Sequence, residues 1–187
     1  MGSALPRTAF TARTRLPSKA SDHFYGLREA KPDLVGFALF ERISRDLPTG
    51  GPLWQMKWAR REIENYLCYR ETLIAFAEHA GGGEGPLFEA AERDRRRDAM
   101  IAAIKEVTAA REVLGQPDPF ADETKASDDC LGPVFQNYFK KLGLSNLMQK
   151  TDYHSLVQFV PADLIAPEVR EKLDELVQVA KQSHPVT

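Results

Sequence analysis

The sequence predicts an α/β chain with a small partial sheet and a helical majority, and three observations predict it. An unbroken apolar run, Leu34 to Phe40, is short enough for a buried strand. A second short segment, Leu53 to Trp58, alternates in a way that suits another strand. From Arg61 onward, apolar residues recur at helical spacing nearly to the end of the chain.

Taken in order, Asp22 to Ala30 is expected to form a short helix closed by Lys31-Pro32. The Leu34–Phe40 strand, expected to be buried on both faces, leads into a loop rich in turn residues, Leu47 to Pro52, and then the second strand. A helix is expected from Arg61 to about His79, where Gly81-Gly82-Gly83 would stop it. A long charged helix from Pro86 to Leu114 should turn Leu87, Ala91, Ile101, Ile104 and Val107 inward. Gly115 to Asp129 is read as a loop, and Cys130 to Leu142 as a helix burying Leu131, Val134, Phe135, Tyr138 and Phe139. Tyr153 to Val160 suits a short helix. The last helix should begin at Pro167, which fits a first helical turn, with Val169, Leu173, Leu176 and Ala180 inward. A two-stranded sheet is marginal alone, so either helices cover it or further strands complete it.

At 187 residues with 43% hydrophobic content the chain can bury one core of ordinary size. No apolar run approaches the roughly 18 residues of a membrane span, so a soluble, cytoplasmic protein is expected. The two cysteines, Cys68 and Cys130, lack the spacing of a zinc or redox motif and read as buried, reduced thiols. Residues 1–21 carry Arg7, Arg13, Arg15 and Lys19 and no acid; this +4 leaves −6 on the remainder of a chain whose net charge is −2. That segment reads as a disordered basic leader preceding a folded region over 22–187. The acidic body argues against a dedicated nucleic-acid surface.

Two segments could carry chemistry. Glu62 and Glu64 stand at the start of the expected helix that follows the second strand. At i and i+2 they point in different directions, and acids in a first turn are also favoured by the helix dipole without any function. Glu41 ends the first strand, and ligands in α/β sheets gather outside the carboxyl ends of strands, where a carboxylate is well placed to hold Mg²⁺. An ordinary charged loop is the plainer reading there. The run Glu92 to Asp98 holds four arginines but interleaves acids, as a solvated helix face does. Trp54 and Trp58, near Lys57, could stack on bases, although packing is the commoner fate of such residues. The histidines lack ligand spacing, and no GxxxxGK[ST] occurs, so neither a histidine metal site nor ATP binding is expected.

Several stretches together resemble one family. They are Asp22-His23-Phe24-Tyr25-Gly26-Leu27-Arg28, the strand ending at Glu41, Arg61-Glu62-Ile63-Glu64-Asn65-Tyr66, and Lys150-Thr151-Asp152-Tyr153-His154 through Pro167-Glu168-Val169. The chain from Asp22 on is similar to the C-terminal region of OLD-family (overcoming lysogenization defect) ATP-binding proteins, in which an ABC-type ATPase precedes a TOPRIM nuclease domain. The resemblance implies a TOPRIM-like remnant linked to metal-dependent DNA cleavage and phage defence. Glu41, Glu62 and Glu64 would be its metal-holding acids, Glu62, Glu64 and Lys150 its catalytic residues, and Mg²⁺ its cofactor. The pattern departs at Glu41-Arg42-Ile43, where an Asp-x-Asp pair is expected and Ile43 supplies no second carboxylate. The strand that should bring the family's first glutamate also has no counterpart after the basic leader. The chain is therefore expected to be truncated, diverged and inactive alone, with DNA contacted through a parent protein. The alternative is a non-catalytic helical interaction module that docks on a partner ATPase or on a second copy of itself.

Overall fold

In a computed structural model the described residues are 16–79 and 86–182. They form an α/β arrangement with a helical majority and one small parallel sheet. In order they are α1 (Pro17–Ala30), β1 (Gly36–Phe40), β2 (Leu53–Lys57), a 3-10 helix (Ile63–Tyr66), α2 (Arg70–His79) and α3 (Pro86–Val113). A π-helix (Ala126–Leu131), α4 (Gly132–Lys141), 3-10 helices at Lys150–Phe159 and Ala162–Leu164, and α5 (Pro167–Gln182) follow. The described residues divide into two compact units, one within 1–58 and 167–187 and one within 59–166.

In the first unit, α1 begins at Pro17, whose fixed φ suits an initial helical position. Residues 17–21 of the expected leader are therefore helical; residues 1–15 lie outside the described residues. Lys31 closes α1 by donating its backbone N–H to Leu27, and the Arg28 guanidinium bonds the Pro32 carbonyl. β1 and β2 pair in parallel, with Gly36 opposite Leu53 and Phe40 opposite Lys57. Their connection turns through Gly50 and Gly51, both at left-handed φ (85° and 86°), where a β-carbon would be strained. The strand expected to be buried on both faces is not: Phe40 alone in β1 is buried, because a two-stranded sheet has no inner strand. Gly36 admits the Phe24 ring, whose nearest carbon lies 2.6 Å from where a β-carbon would stand. α5 packs on β1 and buries Val179, while Leu173 and Leu176, expected to face inward, are exposed.

The second unit is a helical core. Leu73 and Ala77 of α2, Met100, Ala103, Ile104 and Val107 of α3, and Val134, Phe135, Tyr138 and Phe139 of α4 are all buried together. Phe135 sits at its centre, edge-on to Phe76 at 5.3 Å and stacked with Tyr153 at 6.2 Å between centroids. α3 and α4 end alike. Gly115 and Gly143 take left-handed φ, and the next residues, Gln116 and Leu144, donate back to Arg111 and Phe139 at 2.9 Å. The expected helix from Arg61 to His79 is broken: the 3-10 turn at 63–66 gives way at Leu67 to Tyr69 before α2 starts at Arg70. The triple glycine expected to stop α2 lies outside the described residues. The expected loop 115–129 already coils into the π-helix at Ala126.

Candidate functional site

The Glu-Asn-Tyr segment is bonded to itself and to residues distant in sequence. The Glu62 N–H donates to Asn65 Oδ1 at 2.9 Å and the Asn65 N–H to the Glu62 carbonyl at 3.2 Å, which closes the 3-10 turn on itself. The side chains then reach across to the segment around the π-helix. Glu62 Oε2 accepts the Ser127 N–H at 3.0 Å, and Asn65 Nδ2 donates to the carbonyls of Thr124 (3.0 Å) and Ala121 (3.3 Å). Three residues further on, Cys68 meets Cys130. Glu62, Asn65 and Cys68, at i, i+3 and i+6, thus form three rungs to one opposing segment. All of them are buried. Upstream, Arg60 pairs with Asp122 at 3.0 Å, donates to the Tyr69 hydroxyl at 2.9 Å, and stacks over the Tyr66 ring at 4.7 Å. The Arg61 N–H adds a bond to the Asp122 carbonyl at 3.1 Å.

From the Glu62 rung a line of alternating charges leads outward. Glu62 Oε1 lies 3.9 Å from the Lys125 ammonium; Lys125 pairs with Asp128, and Asp128 with Lys150. The two ammonium groups, first Lys125 and then Lys150, hold the Asp128 carboxyl below its ordinary range. Glu62 and Lys150, singled out separately in the sequence, are therefore members of one network. Asp128 also lines a groove of about 260 Å³ with Asp129, Arg111, Glu106 and Asn137, in which Arg111 pairs with Asp129 at 3.4 Å. Tyr153, below this network, has its phenol pushed up to about 12, by burial first and by the Asp128 charge second.

Glu64 lies within the 3-10 turn and is half-buried, and it adds a small upward push to the same phenol. Glu41 is in the first unit, exposed, one residue past β1. The loop after it is held from β2: the Lys57 ammonium donates to the carbonyls of Ile43 (3.0 Å) and Arg45 (2.9 Å). Among the described residues no three His, Cys, Asp or Glu side chains gather as they would around a metal ion. Glu62 and Lys150 each engage a protein partner, Ser127 and Asp128 respectively. Sequence reasoning missed Lys125, Asp128 and Ser127, which fell in an expected loop; the Lys125-x-x-Asp128 spacing, suited to a helical ion pair, was the available signal.

The charged run in α3 is paired within the protein: the half-buried Glu92 pairs with Arg95 at 3.0 Å and with the half-buried Arg96 at 2.7 Å, and Arg97 with Glu78 at 3.1 Å. Those two arginines hold the Glu92 carboxyl below its usual range. Trp58 is buried and Trp54 is exposed, so they do not form one open stacking face. No helix among the described residues is long and apolar enough to cross a membrane.

No family model, curated protein or solved structure matches the chain.

Proposed function

We propose that this chain is a nuclease-like C-terminal segment of the OLD type whose own residues leave a metal-dependent cleavage site incomplete. The observation that carries the reading is the Lys57 clamp. Its ammonium lies on the carbonyls of Ile43 and Arg45, the stretch where the resemblance calls for the second carboxylate of an Asp-x-Asp pair. A divalent cation beside Glu41 needs clustered anions, and a fixed ammonium raises the cost of bringing it there. The engagement of Glu62 with Ser127 and of Lys150 with Asp128 supports the same conclusion. Mg²⁺ and DNA then belong to the ancestral chemistry, with an ATPase domain or a second copy as the partner that would supply what is missing.

The alternative, a non-catalytic helical interaction module, is favoured by one feature. Leu173, Leu176 and Val177 leave an apolar strip exposed along α5.

Titrating Mn²⁺ into the full chain, and into its Glu41→Gln, Glu62→Gln and Glu64→Gln variants, with plasmid nicking assayed alongside, tests the proposal. Weak binding that Glu41→Gln abolishes, without nicking, is the expected result. No binding at all would favour the interaction module. Nicking that depends on these carboxylates would overturn the claim that the site is incomplete.

A further inference from the structure

The sulfurs of Cys68 and Cys130 lie 3.0 Å apart, about 1 Å longer than the roughly 2.05 Å of a disulfide bond. They are 62 positions apart in sequence, and both are buried, 3% and 0% exposed. Their meeting is not an isolated accident of packing. Cys68 continues the spacing of Glu62 and Asn65, whose own bonds to Ser127 and Thr124 hold the two backbones together just N-terminal to both cysteines. Cys130 sits in the π-helix, a rare conformation often found where a side chain is held in a special position. Both thiols are free in this structure.

We infer that Cys68 and Cys130 are a disulfide-forming site, closed when the chain meets a peroxide. One sulfur attacks the peroxide O–O bond, becomes a sulfenic acid and releases water. The second sulfur then displaces hydroxide from the first, which leaves as a second water, and the S–S bond forms. The two thiols give up two protons and two electrons, and one hydrogen peroxide is reduced to two waters. The neighbouring rungs supply the high effective concentration that the second step needs, so the sulfenic acid is trapped as a disulfide before it is oxidised further.

The reaction is slow compared with that of an exposed thiolate. Cys68 donates a hydrogen bond to Cys130; this bond first, and burial second, hold its thiol well above the usual range, so little thiolate is present at neutral pH. Once closed, the bond is shielded from bulky reductants by the same burial and spans a long loop, which restricts the unfolded chain most. The site is thus a stabilising lock set by oxidants small enough to enter the core.

The full chain is treated with hydrogen peroxide, unfolded in an alkylating agent, and analysed by intact mass and peptide mapping. The expected product has lost two hydrogens, takes up no alkyl group, and yields one cross-linked peptide pair containing residues 68 and 130. Reduction should restore two alkylatable thiols. The oxidised chain should melt higher than the reduced one by on the order of ten degrees, a difference absent from Cys68→Ala and Cys130→Ala. Two alkylated cysteines after peroxide, or oxygen retained on either sulfur without a cross-link, overturn the inference. Because the mapping uses the unaltered chain, the result stands even if an alanine variant fails to fold.

Discussion

The Glu62 carboxylate accepts the backbone N–H of Ser127 at 3.0 Å, across 65 positions of sequence, with both residues buried. A residue whose type and position suggest chemistry is here a structural acceptor at the entrance to the π-helix. Removing it leaves a buried N–H without a partner, and such a group costs more than the bond it loses contributes.

Glu62→Ala should therefore destabilise the chain by about 2 kcal/mol, whereas Glu62→Gln, which keeps an acceptor oxygen, should cost about half as much or less. Denaturant unfolding of both variants checks this. Equal losses would show that the charge, through Lys125, matters more than the Ser127 bond.

Asp128 gives an acid-side prediction. Its folded value lies below the ordinary 3.8, so its contribution is fully present above that pH and is lost as pH falls through the folded value. The pairs with Lys125 and Lys150 are partly solvated, which limits the effect to no more than about 1 kcal/mol. Thermal melts of the wild type should drop more steeply below pH 4 than those of Asp128→Asn, by the linkage cited. Parallel acid limbs would mean that Asp128 contributes nothing through its charge.

Much of the architecture was legible because periodicity reports burial directly. The α4 face from Val134 to Phe139 follows from spacing and the start of α5 at Pro167 from the fit of proline to a first helical turn, and both are found. The break between Tyr66 and Arg70 was not legible: apolar residues continue through it, and what interrupts the helix is a set of bonds to residues some sixty positions away. The approach of Cys68 to Cys130 escaped notice for the same reason, since sequence spacing carries no record of which distant segment faces a given one. In α5 the expected inward stripe is not found: Leu173 and Leu176 are exposed and Val179 is buried, because burial of all three requires more neighbours than a two-stranded sheet and its helices provide.

Gly36 tests the packing of the first unit. A β-carbon there would stand 2.6 Å and 2.8 Å from two atoms of the buried Phe24 ring and 3.1 Å from Leu53. Gly36→Ala should therefore destabilise that unit by about 1–3 kcal/mol through overpacking. Pairing it with Phe24→Leu should recover part of the loss, read as a non-additive double-mutant cycle in unfolding experiments.

Lys57 is testable without any assumption about metals. Replacing it by methionine removes the donor that spans the Ile43 and Arg45 carbonyls but keeps the apolar stem. Amide hydrogen exchange over residues 43–46 should quicken severalfold, while exchange within α4 stays unchanged. Unaltered exchange in the loop would show that the clamp does not order it.

The three rungs joining residues 62, 65 and 68 to 127, 124 and 130 also set an order of events during synthesis. The first side of this seam leaves the ribosome some sixty residues before the second, a delay of roughly 3–12 s at about 5–20 residues per second. Throughout that interval the Glu62 carboxylate, the Asn65 amide and the Cys68 thiol have none of their final cross-chain partners. Cys68 thus spends its most reactive seconds as a nascent, solvated thiol, before the core that later encloses it exists.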